Sequence, residues 1–265
     1  MKISRTVQAA VAMGLVGGLA GCAPGGSEGG DARSAARAEA VRYASAGLLP
    51  ERLAADGTTI VVGNPVASST VQVLEDPRCP VVEEYERTGA PALQKLLLAG
   101  EVKAEYTFAS FRDVQLSGDG SKQAVNALRA ALQKGKFVEY HTVLFKNQAA
   151  VESSGGFTTE RLLELAEEVP GLRDETFDAA VRTMKYRSFV TASEEAYQQT
   201  GDDPTGPGTP TVIVNDHTID GGLYGINFDP TLLNRLVLDL HERPYTWDAL
   251  YAPLKKRMEA QDAGA

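Results

Sequence analysis

The 265-residue chain has two cysteines, and each sits where a thiol has a use. Cys79 falls in Asp76-Pro77-Arg78-Cys79-Pro80, after a β-branched run and before apolar residues at helical spacing. Pro80 suits the first helical position, where a missing N–H costs nothing, so Cys79 is expected at the N-cap. There the free backbone N–H groups and the helix dipole favour a thiolate, the nucleophilic form. Arg78 adds to that effect. Glu83, Glu84 and Glu86 in the following turns oppose it, although as helix-terminal carboxylates they are themselves stabilised by the dipole. Other chemistries are poorly served. His141, His217 and His241 share no ligand-like spacing, so no metal is expected, and nothing in the chain calls for a cofactor. Ser68-Ser69 and Ser153-Ser154 lack the strand-turn-helix setting of a hydrolase nucleophile. The glycines of 201–208 lack the Lys-Ser/Thr that ends a phosphate loop. With 26 basic against 35 acidic residues and a net charge of −9, the chain lacks the cationic surface of a nucleic-acid binder.

The elements that must position Cys79 follow from periodicity. Thr58–Val62 and Thr70–Glu75, on either side of Gly63-Asn64-Pro65, read as two short strands. Val81, Val82, Tyr85, Leu93, Leu96 and Leu97 make a helix after Cys79, with Gly89 and Pro91 predicting a kink. Residues 101–109 alternate as a further strand. About 90 largely helical residues follow, with stripes at Val125, Leu128 and Leu132, at Leu162 to Val169, after Asp174 as an N-cap, and from Phe189 to Tyr197. Then come a Gly/Pro loop, a hairpin across Asn215-Asp216, and a last helix opened by Asp229-Pro230. Beyond Pro244, Trp247, Leu250, Tyr251 and Leu254 are expected to pack back on the domain, with Lys255-Lys256-Arg257 as an alternative contact for a partner or anionic lipid.

Residues 1–21 combine Lys2 and Arg5 with about 15 apolar or small residues, a secretory signal too short to span a bilayer. Leu19-Ala20-Gly21-Cys22 resembles the bacterial lipobox, which implies lipidation of Cys22 and anchoring to the extracytoplasmic face of the cell membrane. Residues 22–54 are expected to be a flexible tether, with Gly25, Gly26, Gly29 and Gly30, and a short helix over 32–46.

The order strand-strand-helix-strand, helices, then strand-strand-helix resembles the DsbA-like branch of the thioredoxin superfamily. The likeness covers about residues 55–242 of an α/β thioredoxin-like fold, with a helical insertion at about 112–200 and a tail at 243–265. Its sharpest pieces are Glu75-Asp76-Pro77-Arg78-Cys79-Pro80 and Gly208-Thr209-Pro210-Thr211-Val212. The resemblance implies a cis-proline at Pro210 packed against Cys79, with the Thr209 backbone positioned to pair with an extended substrate peptide. Two departures matter. Family members that exchange disulfides carry Cys-Pro-x-Cys, whereas this chain has Cys79-Pro80-Val81-Val82, so the resolving thiol is missing. Some relatives also carry a buried carboxylate six positions before the cysteine, where this chain has Val73. Net dithiol oxidation by the isolated chain is excluded by stoichiometry. Three readings stay open: Cys79 as a monothiol exchanger resolved by an external small thiol or partner, a peptide-binding module for extracytoplasmic clients that lost its redox cycle, and an incidental buried cysteine.

Overall fold

The computed structural model describes residues 41–264, so the signal, Cys22 and most of the tether lie outside the described residues. Six strands form one mixed sheet: β1 (Glu51–Leu53), β2 (Ile60–Gly63), β3 (Ser69–Glu75), β4 (Val102–Phe108), β5 (Thr211–Val214) and β6 (His217–Thr218). Their order is β1-β2-β4-β3-β5-β6. β3 and β4 run parallel, and the crossover between them carries α1 (Pro80–Thr88) and α2 (Ala90–Leu98). Every residue of β2 and of β5 is buried, as expected of short apolar strands covered on both faces, whereas β4 alternates buried and half-buried residues. The expected kink becomes a full break. Gly89 lies between the two helices and packs against the 3₁₀ segment after β6, where a Cβ would run into the Asn227 carbonyl.

Six helices lie between β4 and β5: α3 (Arg112–Leu116), α4 (Gly120–Gln133), α5 (Phe137–Ser153), α6 (Thr159–Ala166), α7 (Glu175–Arg182) and α8 (Arg187–Gln198). Asp174 caps α7 by accepting the Phe177 amide at 2.8 Å. The β5–β6 hairpin turns through Asn215 and Asp216 with φ of 46° and 69°, the pair of positive angles that a two-residue I′ turn requires. Asp229 caps α9 (Pro230–Glu242) by accepting the amides of Thr231 and Leu232.

Three features depart from expectation. The sheet starts before residue 55, because Glu51–Leu53 pairs antiparallel with β2. The Glu51 carboxylate then accepts the amides of Phe137 and Val138 at 2.8 and 3.1 Å, supplying from a distant strand the cap that α5 lacks locally. Residues 41–45 are not helical, and Ala46–Leu48 makes only a single 3₁₀ turn. α5 itself, 17 residues long, was not singled out in the sequence, and it carries several of the side chains that matter most below.

The tail packs back on the domain. The Trp247 ring stacks on His217 with centroids 4.4 Å apart, and the buried Tyr251 donates its hydroxyl to Asp239 of α9 at 2.9 Å. Lys255 of α10 (Ala252–Asp262) pairs with Asp220, which ties one member of the Lys-Lys-Arg cluster to the fold. Among the described residues, no helix is long and apolar enough to cross a membrane. Tyr251→Ala is expected to cost about 3 kcal/mol in urea unfolding, through lost burial of the ring and loss of its hydrogen bond to Asp239, which keeps its pairing with Arg243. Met258→Ala, on the exposed side of α10, should change stability by no more than about 0.5 kcal/mol. Equal effects of the two substitutions would mean that the tail does not hold to the domain.

Candidate active site

Cys79 is the N-cap residue of α1, with extended backbone angles, and Pro80 opens the helix. The residue is 6% exposed. Its thiol donates to the Thr209 carbonyl at 3.4 Å, and the Thr209–Pro210 peptide bond is cis. Thus Cys79, Pro80, Thr209 and Pro210, four residues from two distant segments, meet at one point. The loop that brings the second segment in is fixed by Tyr197 of α8, whose hydroxyl accepts the Gly208 amide at 3.0 Å. Burial pushes the Tyr197 hydroxyl up to about 12, so it stays a neutral phenol there. The Thr209 side-chain hydroxyl is buried without a partner.

The turn that presents Cys79 is held mainly by the helical insertion. Asp76 accepts the Arg78 amide at 3.0 Å and the Arg112 amide at 2.9 Å through its carboxylate, and the Cys79 amide at 2.9 Å through its carbonyl. Ser121 donates its hydroxyl to the same carboxylate at 2.6 Å. Burial outweighs these donors and raises the Asp76 carboxyl to about 6. The Arg78 guanidinium turns to the insertion, pairing with Glu152 through Nε and Nη2 and with Asp113 through Nη1 at 3.0 Å. Its charge is therefore engaged by two carboxylates, which corrects the expectation that Arg78 assists the thiol. Gln148 of α5 completes the clamp. Its buried amide donates to the carbonyls of Pro77 and Cys79 at 3.0 and 2.8 Å, on either side of Arg78.

Where a resolving cysteine would stand, Val82 is 0% exposed and packs with Cys79 and Phe145. Among the described residues, Cys79 is the only cysteine, and it is unpaired.

Val73 is buried as an apolar residue, but a carboxylate lies two positions further along the same face of β3. Glu75 is 0% exposed and its Oε2 lies 2.8 Å from His141 Nε2. The other ring nitrogen of His141 lies 3.7 Å from Glu86 Oε2. Glu86 thus belongs to a buried cluster rather than to the solvated start of α1, which corrects its reading as a simple helix-terminal charge. Phe145 is the layer between, touching Cys79 and Val82 on one side and the His141 ring, at 4.8 Å between centroids, on the other. Burial raises Glu75 to about 8, raises Glu86 well above the carboxylate range with help from neighbouring Glu75, and lowers His141.

These three residues were missed for an identifiable reason. A charged residue on the apolar side of an amphipathic helix is the available signal: Glu86 follows Val82 and Tyr85, and His141 falls in register with Tyr140, Leu144, Phe145 and Gln148.

Two outcomes follow. Gln148→Leu removes the donor that two buried carbonyls share and should cost about 1–3 kcal/mol in urea unfolding, with faster alkylation of Cys79 as the turn loosens. In chelator-treated protein, stability should fall as pH rises from about 6.5 to about 8. The folded state there retains protons on Glu75 and Glu86 that the unfolded chain has already released, while an unfolded histidine is already losing its own. Thermal unfolding at pH 6.5 and 8.5 reads this directly. The double variant Glu75→Gln, Glu86→Gln should flatten the dependence, and an unchanged slope would refute the assignment.

The family described as Thioredoxin matches residues 55–224. Among solved structures, BdbD from Bacillus subtilis is 23% identical, with a TM-score of 0.57, covering 69% of this chain and 92% of that one. MdbA, described as a thiol-disulfide oxidoreductase from Corynebacterium diphtheriae, is 19% identical with a TM-score of 0.56 over 68% and 91%. Oxidised DsbA from Mycobacterium tuberculosis is 25% identical with a TM-score of 0.50 over 65% and 85%. No curated protein matches the chain. The matched region spans β2 to β6, the Cys-Pro helix start, the insertion and the cis-proline loop, and on that ground the chain belongs to the thioredoxin family, with the DsbA-like form of its fold.

Proposed function

We propose that this protein is a lipid-anchored, extracytoplasmic thioredoxin-fold protein that holds extended polypeptide clients beside a single reactive thiol and exchanges disulfides with them. The observation that supports this reading is the 3.4 Å contact between the Cys79 thiol and the Thr209 carbonyl next to a cis Pro210, in a chain whose partner position is Val82. A nucleophile and a strand end side by side suit a polypeptide laid along the loop, with its disulfide over Cys79. MdbA, a thiol-disulfide oxidoreductase of similar fold, points the same way.

The chemistry is an exchange without net redox change. The Cys79 thiolate attacks one sulfur of a client disulfide, forming a mixed disulfide and releasing the second client sulfur as a thiolate. An external low-molecular-weight thiolate then attacks the client sulfur of that bond. This regenerates Cys79 and leaves the client joined to the small thiol. Pro80 and the helix start place the Cys79 sulfur, and Thr209-Pro210 orients the client. Binding of the client needs no turnover of the thiol, so the peptide-binding role persists where exchange is slow. Lipidation of Cys22 would confine both to the membrane surface.

Three variants test these claims. Cys79→Ser should abolish mixed-disulfide formation with an unfolded, disulfide-bearing polypeptide while retaining part of its binding. A Cys79 that labels only in unfolding denaturant would sink the exchange reading. Val82→Cys restores Cys-Pro-x-Cys at a position already packed against Cys79, and should turn a protein inactive in insulin reduction into an active one. Cys22→Ala should move the protein from the membrane fraction to the soluble fraction, and retention on the membrane would refute the anchor.

A further inference from the structure

We propose that Glu75, Glu86 and His141 bind one divalent transition-metal ion, zinc by the character of the donors, in the interior between β3, α1 and α5. One potential ligand atom from each residue can be chosen so that all lie within 4.8 Å of one another, and the side chains must draw together to reach bonds of about 2.0–2.2 Å to a single ion. The donor set is two carboxylates and an imidazole. That mixture suits zinc and its neighbours better than calcium or magnesium, which take all-oxygen shells.

The hydrogen bonding of the cluster is incomplete in the way a bound ion would remedy. Glu75 is fully buried, yet its Oε1 has no partner, and Glu86 Oε1 is also buried and unpartnered. The Tyr85 hydroxyl, buried beside them on α1, has none either. Buried carboxyl oxygens are almost always satisfied, so this cluster needs either a proton shared between Glu75 and Glu86, which lie within hydrogen-bonding reach of each other, or a cation.

Charge balance points to a dication. Two carboxylates and one neutral imidazole exactly cancel a 2+ ion, so no net charge is buried. Burial keeps His141 in the neutral form that can ligate. The carboxyls hold their protons only while no cation is present, since a bound ion reverses the local preference and displaces them. Tyr85 of α1 and Tyr106 of β4 lie against the cluster as neutral phenols, and on its outer side Glu86 shares a cavity with Glu83, Arg87 and Lys146. A cavity of about 130 Å³ lined by Glu86, His141, Tyr106 and Thr142 gives a route inward.

The site is separate from the thiol chemistry, and its test is designed so that the two stand or fall independently. The lipid-modified full chain, in detergent and stripped with a chelator, is titrated with Zn²⁺ by calorimetry and with Co²⁺ by visible absorption, in wild type and in Cys79→Ser. One equivalent should bind in both, with a cobalt spectrum free of thiolate charge transfer, and with a rise in thermal stability as zinc is added. Glu86→Gln and His141→Gln should each weaken zinc binding about 100-fold or more, since even outer partners of metal ligands are worth about 10–100-fold. Should either variant fail to fold, the wild-type cobalt spectrum still decides. No binding to the wild type, a thiolate band that vanishes in Cys79→Ser, or equal affinity in folded Glu86→Gln would each overturn the proposal, leaving the cluster as a proton-sharing or hydrated pocket.

Discussion

The Arg78 guanidinium, buried between Asp113 and Glu152, is the contact on which the arrangement around the thiol depends. A guanidinium out of water must be matched by carboxylates and hydrogen bonds, and removing one partner of such a group costs about 3–5 kcal/mol. Asp113 can serve only where it is, because it also accepts the amides of Ser121 and Lys122 at the start of α4. Arg78 donates further to the Ser117 carbonyl. One side chain next to the cysteine therefore fixes the start of α4 and the end of α5 relative to the turn. Asp76 and Gln148 fasten the same turn from two more directions. The insertion is thus the scaffold for Cys79 as much as the sheet is, and the thiol's position is a tertiary property rather than a local one.

That rigidity bears on what the loss of the second cysteine means. Val82 lies in the first turn of α1, fully buried and in contact with Cys79 and Phe145. An apolar side chain of that size completes the packing beneath the sulfur, so the replacement leaves the helix start and the cis-proline loop undisturbed. Geometry that in a dithiol protein presents two thiols here presents one among the described residues. In the proposed exchange, resolution falls to an external thiol, and with Cys79 only 6% exposed as a residue this favours small thiols or an attack on the client's sulfur.

Much of this was legible in the sequence where local chemistry dictates local structure. Pro80 after Cys79, Asp174 and Asp229 at helix starts, and Asn215-Asp216 in a hairpin each act within a few residues, and each is found as expected. The cis bond at Pro210 came instead from family resemblance, since no local pattern specifies it. β1 escaped notice because three residues carry too short an alternation to read, and its pairing is decided by β2. α5 escaped because its stripe mixes Tyr140, His141 and Gln148 with apolar residues, so the period is blurred by the very side chains that reach the site. The pairing of Arg78 spans 35 and 74 residues of chain, a separation that residue types alone cannot reveal.

The polar cluster behind Phe145 shows the same division between local and global. Glu75 ends a strand, Glu86 sits on the second turn of the helix that follows, and His141 comes from a helix more than fifty residues later. Each alone would be expected at the surface, since carboxylates and imidazoles are seldom fully buried unless paired. Together they make burial tolerable, whether the balancing charge is supplied by protons or by a cation. The Phe145 ring stands between this layer and the sulfur, and the cluster draws its three side chains from β3, α1 and α5. Those are the elements that carry the turn and its Gln148 clamp. The interior cluster and the thiol thus share supporting elements, while the Phe145 ring keeps their chemistry apart.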